Sequence, residues 1–162
     1  MFTIRCTRKL LRYLRAKDVR DDSEVPTTRL GDWYANLLFT RRRRLIICVS
    51  ELSLLPVFVD ARNPSSFTSR LQTAVGTMLG RVGLLSDQVA CELAEMDQPG
   101  IGPTANRSVL GSMNDFIYLA RFTLNHDQPD IDTLTLSLKI ADTPCGPLKY
   151  ACPLSATAML FR

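Results

Sequence analysis

The chain has no long apolar run. Its longest stretch without a charged residue is twelve, Tyr150 to Phe161, and Pro153 interrupts it. A membrane-spanning helix needs about 20 apolar residues, so no membrane partner is expected. Histidine is almost missing. His126, in Asn125-His126-Asp127-Gln128-Pro129, would have to serve any histidine-dependent triad, and the G-x-S-x-G nucleophile motif is absent. Neither a phosphate-binding Walker loop nor a dinucleotide fingerprint occurs, so no cofactor is expected. The five cysteines include no close CxxC pair, and Cys145 and Cys152 are separated by six residues, a spacing unlike that of structural zinc sites. No metal is expected. The opening Met-Phe-Thr-Ile-Arg-Cys has no signal-peptide core, which makes a reducing cytoplasm the expected compartment. No internal repeat or low-complexity tract is present.

What is there fits one folded unit. Of 162 residues, 46% are hydrophobic and 22% charged, the balance of an ordinary globular protein rather than of a disordered chain, so residues 1–162 are read as a single globular domain. The net charge of +4 is unevenly placed: residues 1–44 carry twelve Lys/Arg and five Asp/Glu, and the remainder carries eight against eleven. The basic character therefore belongs to the first quarter. Sixteen of the twenty cations are Arg, whose rigid fork suits phosphate or carboxylate better than Lys does.

Hydrophobic periodicity orders the elements. Phe2, Ile4 and Cys6 alternate with Thr3 and Arg5 as a half-buried strand, and Thr7 offers an N-cap to a basic helix over 8–15 with Leu10, Leu11 and Leu14 on one face. Residues 17–32 lack periodicity and read as a loop. From Trp33 the pattern becomes strand-like: two apolar runs flank Arg41-Arg42-Arg43-Arg44 as a hairpin with arginines at its tip, and Val57–Asp60 follows as a third antiparallel strand. Asn63-Pro64-Ser65-Ser66 starts a helix with Phe67, Leu71, Val75, Met78, Leu79 and Val82 on one stripe, and a second helix begins at Ser86. A polar link over 102–106 leads to the most regular helix, capped by Ser108, with Val109, Leu110, Met113, Phe116, Ile117 and Ala120 inward. Residues 130–141 fit either a strand or a helix capped by Asp130, and Pro129-Asp130 favours helix. The expectation is an α+β domain: a small, mostly antiparallel sheet built on a meander over 33–60, with helices packed on one face.

Two groups of residues carry the functional reading. Arg41, Arg42, Arg43 and Arg44 at the hairpin tip, with Arg8 and Arg12 on the basic helix, form a candidate polyanion surface for nucleic acid. Alternation along the strand ends would let two of the four turn arginines project together, and Phe39 is expected in the core. The bland alternative is a solvated hairpin or an internal carboxylate partner. The second group is a polar cluster of Trp33, Asn36, Thr104, Asn106, Arg107, Ser108 and Asn114, gathered around a helix N-terminus whose free N–H groups attract anions. There the competing reading is simple capping, with Trp33 as a core anchor.

The segments Ile4-Arg5-Cys6-Thr7-Arg8-Lys9-Leu10-Leu11, Trp33-Tyr34-Ala35-Asn36-Leu37-Leu38, the Arg-rich turn and Thr104-Ala105-Asn106-Arg107-Ser108 with Met113-Asn114 resemble, in their order across residues 4–115, an uncharacterised bacterial family, a domain of unknown function. The chain departs from that pattern at Trp33, where His is common, and in the number of arginines at the turn, so neither is expected to be an obligatory catalytic group. The resemblance implies one cytoplasmic bacterial domain and supplies no activity. The leading functional expectation is a non-enzymatic binding module with a basic N-terminal surface for a polyanion. The alternative is a small hydrolase or nuclease-like enzyme sited near Asn36, Asn106, Arg107 and Asn114, and a third reading is an interaction protein with a protein partner.

Overall fold

The computed structural model describes residues 1–21 and 24–162; Asp22 and Ser23, part of the expected loop, lie outside the described residues. Five strands, β1 (Thr3–Cys6), β2 (Trp33–Phe39), β3 (Arg44–Ser50), β4 (Pro56–Asp60) and β5 (Gly100–Pro103), make one sheet in the order β4-β3-β2-β1-β5. The meander is its antiparallel half: β2 pairs with β3 from Trp33↔Ser50 to Phe39↔Arg44, and β3 with β4. The other half is parallel, because β1 lies between β2 and β5 and runs with both. The sheet is therefore mixed rather than mostly antiparallel. Gly102 and Pro103, expected to belong to a polar link over 102–106, are instead the second half of strand β5, which forms because β1 offers it a free edge.

Among the described residues six α-helices cover this sheet: α1 (Arg8–Leu14), α2 (Phe67–Val82), α3 (Ser86–Glu95), α4 (Arg107–Phe122), α5 (Thr133–Ala141) and α6 (Pro153–Leu160). They pack on both faces, not one. Strand alternation sends Ile4, Cys6, Trp33, Ala35, Leu37, Ile46, Cys48, Val57 and Val59 to one side, where Leu10 of α1 and the Phe67, Leu71, Val75 stripe of α2 close a core. Tyr34, Leu38, Leu45, Ile47, Val49 and Phe58 point the other way, against Val109, Met113 and Phe116 of α4 and Leu136 and Ile140 of α5. Each face buries its own apolar layer, and that double burial is why β3 reads as an unbroken apolar run. Residues 130–141 do include a helix.

Caps and packing correct several details. Asn106, not Ser108, caps α4: its Oδ1 accepts from Ser108 N at 3.0 Å and Val109 N at 3.3 Å. Asp132 rather than Asp130 caps α5, accepting from Thr135 N at 2.8 Å. Within α2, a Cβ on Gly76 would lie 2.9 Å from Leu93 Cδ1 of α3, so Gly76 permits the helical hairpin to close, while Gly80 meets nothing. Glu92 of α3 is buried and accepts from Arg29 N at 2.9 Å and Leu30 N at 3.0 Å, tying the helix to the start of the sheet.

Both outer strands are covered. Phe58 N of β4 donates to Ser137 Oγ of α5 at 2.9 Å, and Asp60 O accepts from the Arg70 guanidinium. Along β5, Val19 forms a parallel bridge with Ile101, and Arg20 N donates to Ile101 O at 2.8 Å. Beneath that segment the sheet is polar: Arg5 donates from Nε to Asp32 Oδ2 at 3.0 Å, both groups buried, and Asp32 Oδ1 accepts from Thr3 N at 2.9 Å. Among the described residues no helix is long and apolar enough to cross a membrane.

Candidate functional site

The basic helix and the arginine turn meet at one end of the sheet. Strand β1 stops at Cys6, level with Ala35, while β2 continues to Phe39. Thr7 then turns the chain into α1: its hydroxyl accepts from Leu10 N at 3.4 Å and donates to Asn36 Oδ1 at 2.7 Å, which docks the helix start on the protruding part of β2. At the far end of α1, Tyr13 Oη donates to Ala61 O at 2.6 Å, beyond β4. The helix thus crosses the end of the meander on the Leu37–Phe39 face.

The hairpin closes without glycine. Thr40 N donates to Arg43 O at 2.9 Å, and Thr40 Oγ1 accepts from Arg43 N at 3.1 Å, leaving Arg41 and Arg42 as the two exposed loop residues. The four arginines then divide. Arg43 turns inward, donating to Ile131 O and placing Nη2 3.9 Å from Asp60 Oδ1. Arg44, opposite Phe39 in register, lies with its guanidinium carbon 5.7 Å from the Phe39 ring centre. Lys9 of α1 reaches the same ring, with Nζ 4.3 Å from its centre.

Phe39 is therefore a surface residue, 38% exposed, and not part of the core. It marks the place where the cations of α1 and of the hairpin become one surface. Among the described residues no carboxylate pairs with Arg8, Lys9, Arg12, Arg41, Arg42 or Arg44; the carboxylate of this end, Asp60, is engaged by Arg43 and by Arg62 at 3.0 Å. A run of cations without acidic partners keeps its full charge available to an external anion. Lys9 and Phe39 were not singled out from the sequence. The available signal was position: Phe39 precedes the turn, beyond the last residue that β1 can cover.

The polar cluster is distributed differently. Asn36 shares the Tyr34 face of β2, where Tyr34 Oη accepts from Asn106 N at 3.1 Å, so Asn36, Tyr34 and Asn106 lie on one side of the sheet. Burial pushes the Tyr34 phenol above its ordinary value, with the Asn106 N–H acting in the opposite direction. Asn36 Oδ1 is taken up by Thr7 and by Leu37 N at 2.8 Å, and Asn106 Oδ1 by the α4 cap. Thr104 is half-buried. Arg107, Ser108 and Asn114 are exposed. Trp33 is fully buried on the opposite face, where its Nε1 has no hydrogen-bond partner among the described residues.

The fold and its basic end thus define an α+β domain on a mixed five-stranded sheet, with an arginine-rich surface where β2 outruns β1. The chain belongs to the family described as a domain of unknown function (DUF6933), whose sequence model matches residues 3–156. No curated protein and no solved structure matches it.

Proposed function

We propose that residues 1–162 act as one binding module whose basic end engages a polyanion, and that nucleic acid is the polyanion it fits. The single observation that carries this is the joining of α1 and the hairpin tip at Phe39, with Arg8, Lys9, Arg12, Arg41, Arg42 and Arg44 unpaired by carboxylates of the described residues. Arginine-rich surfaces bind phosphate chains by releasing condensed counterions, and the affinity then falls linearly with salt on logarithmic axes. Arg43 is excluded from the binding set because it holds Ile131 and Asp60.

The test is a titration of DNA and RNA oligonucleotides across a salt series with wild type and an Arg41→Ala/Arg42→Ala variant. Salt-dependent binding is expected, with the variant weakened uniformly across sequences and its salt slope reduced by roughly one for each phosphate it no longer neutralises. Salt-insensitive curves, or identical curves for the two proteins, would sink the proposal. Heparin or vesicles of anionic lipid binding at least as tightly as nucleic acid at equal charge would overturn the choice of nucleic acid.

A further inference from the structure

Phe39 continues the row of Ala35 and Leu37 on its face of β2, yet those two are buried while Phe39 keeps 38% of its surface in contact with solvent. Two cations lie over it, Lys9 at 4.3 Å and Arg44 at 5.7 Å from the ring centre, measured to Nζ and to the guanidinium carbon. An exposed cation–π contact is weak, so a cation held this way is easily moved aside. The ring is thus partly open to solvent and otherwise overlaid by Lys9 and Arg44, cations that have no acidic partner among the described residues and that can swing from the ring to a phosphate.

That combination matches an unpaired nucleotide. Every base has a π-face that an aromatic side chain can stack on, and the phosphates on either side need cations close to the ring. Bases inside a duplex are stacked on one another and do not offer their faces to a ring without being unstacked first. From Phe39 the surface continues along α1, a helix of seven residues and about 10 Å, toward an open groove of about 710 Å³ lined by Arg12, Arg15 and Asn63.

We propose that Phe39 is a stacking platform for an unpaired base of a single-stranded nucleic acid, with Lys9, Arg44 and the exposed arginines of the turn and of α1 holding the neighbouring phosphates. This rests on the polyanion reading and adds strandedness and a base contact to it.

The experiment uses the full chain and measures, by fluorescence anisotropy, binding to labelled oligo(dT), to an abasic strand with the same number of phosphates and to a duplex. Wild type is expected to bind oligo(dT) roughly tenfold more tightly than the abasic strand. Phe39→Ala should erase that difference, so that oligo(dT) and the abasic strand bind the variant equally. Phe39→Trp should restore the preference, and its indole emission should be quenched by oligo(dT) but not by the abasic strand. The Trp variant also carries the test if the Ala variant fails to fold, since it retains an aromatic ring at the same place. Equal affinities of wild type for oligo(dT) and the abasic strand, a preference for duplex, or an intact oligo(dT) preference in Phe39→Ala each overturn the stacking platform and leave the polyanion reading standing. Absence of salt-dependent binding to any strand overturns both.

Discussion

Lys9 carries its ammonium 4.3 Å from the centre of the Phe39 ring, joining the first helix to the end of the second strand. Helix α1 has only seven residues, too few to hold itself together in water, so its position depends on tertiary contacts of this kind. A double-mutant cycle of Lys9→Ala and Phe39→Ala, read by urea unfolding, should give a coupling of about 0.5–1 kcal/mol. Additive effects would mean that the ring and the ammonium do not interact in solution.

The buried Arg5–Asp32 pair makes a larger difference. Asp32 accepts from both Arg5 Nε and Thr3 N, at 3.0 and 2.9 Å, and neither charged side chain is open to water. Asp32→Ala takes the acceptor away from two buried donors, Arg5 Nε and Thr3 N, and should destabilise the fold by about 1–3 kcal/mol. Chemical denaturation checks this directly. A loss below about 1 kcal/mol would show the pair to be solvated.

Glycine substitutions should divide by location. Gly80 and Gly111 lie within α2 and α4 with nothing within 4 Å of an added Cβ, so Gly→Ala at either should raise stability by about 1 kcal/mol. Gly102 of β5 is the opposite case. A Cβ there would lie 2.7 Å from Arg20 O and 3.1 Å from Thr3 Cγ2, so Gly102→Ala should displace the 18–20 segment and destabilise by about 1–3 kcal/mol. Thermal melts of the three single variants should therefore move in two directions.

The thiols should separate by reactivity. Burial pushes Cys6 up to about 12 and Cys48 well above its ordinary value, because the thiolate would be stranded in the core. Cys91 is exposed and Cys152 half-buried. Since the thiolate is the reactive form, maleimide labelling of the native chain at pH 8 should modify Cys91 first, then Cys152, and reach Cys6 and Cys48 only after unfolding. Peptide mapping against time gives the order. Early modification of Cys6 would show that the β1–β3 core opens readily.

Much of this architecture was legible because its signals are local. The stripe from Val109 to Ala120 marks α4, Thr7 marks the start of α1, and the apolar runs on either side of the arginines mark β2 and β3. What escaped depends on partners distant in the chain. Gly100–Pro103 has no strand pattern of its own and is a strand only beside β1. Helices on the second face could not be assigned, since alternation tells that two faces differ and not what covers each. At the basic end, the charge was visible in Arg41–Arg44, but the inward turn of Arg43 requires Ile131, far along the chain. Phe39 looked like core because periodicity counts apolar residues and cannot see where a neighbouring strand stops. Trp33, grouped with Asn36 by proximity in sequence, lies across the sheet from it because the two are three residues apart in a strand.

Ser137 and the Val19–Arg20 segment between them close the two outer strands, β4 and β5. An open margin would invite another chain to extend the sheet through backbone hydrogen bonds, whether a specific binding peptide or an identical molecule on its way to a fibril. With both margins occupied from within, association through main-chain pairing is blocked unless α5 or the 18–20 segment detaches. A partner approaching either margin would therefore meet side chains of α5 or of the 18–20 segment rather than free main-chain groups of β4 and β5.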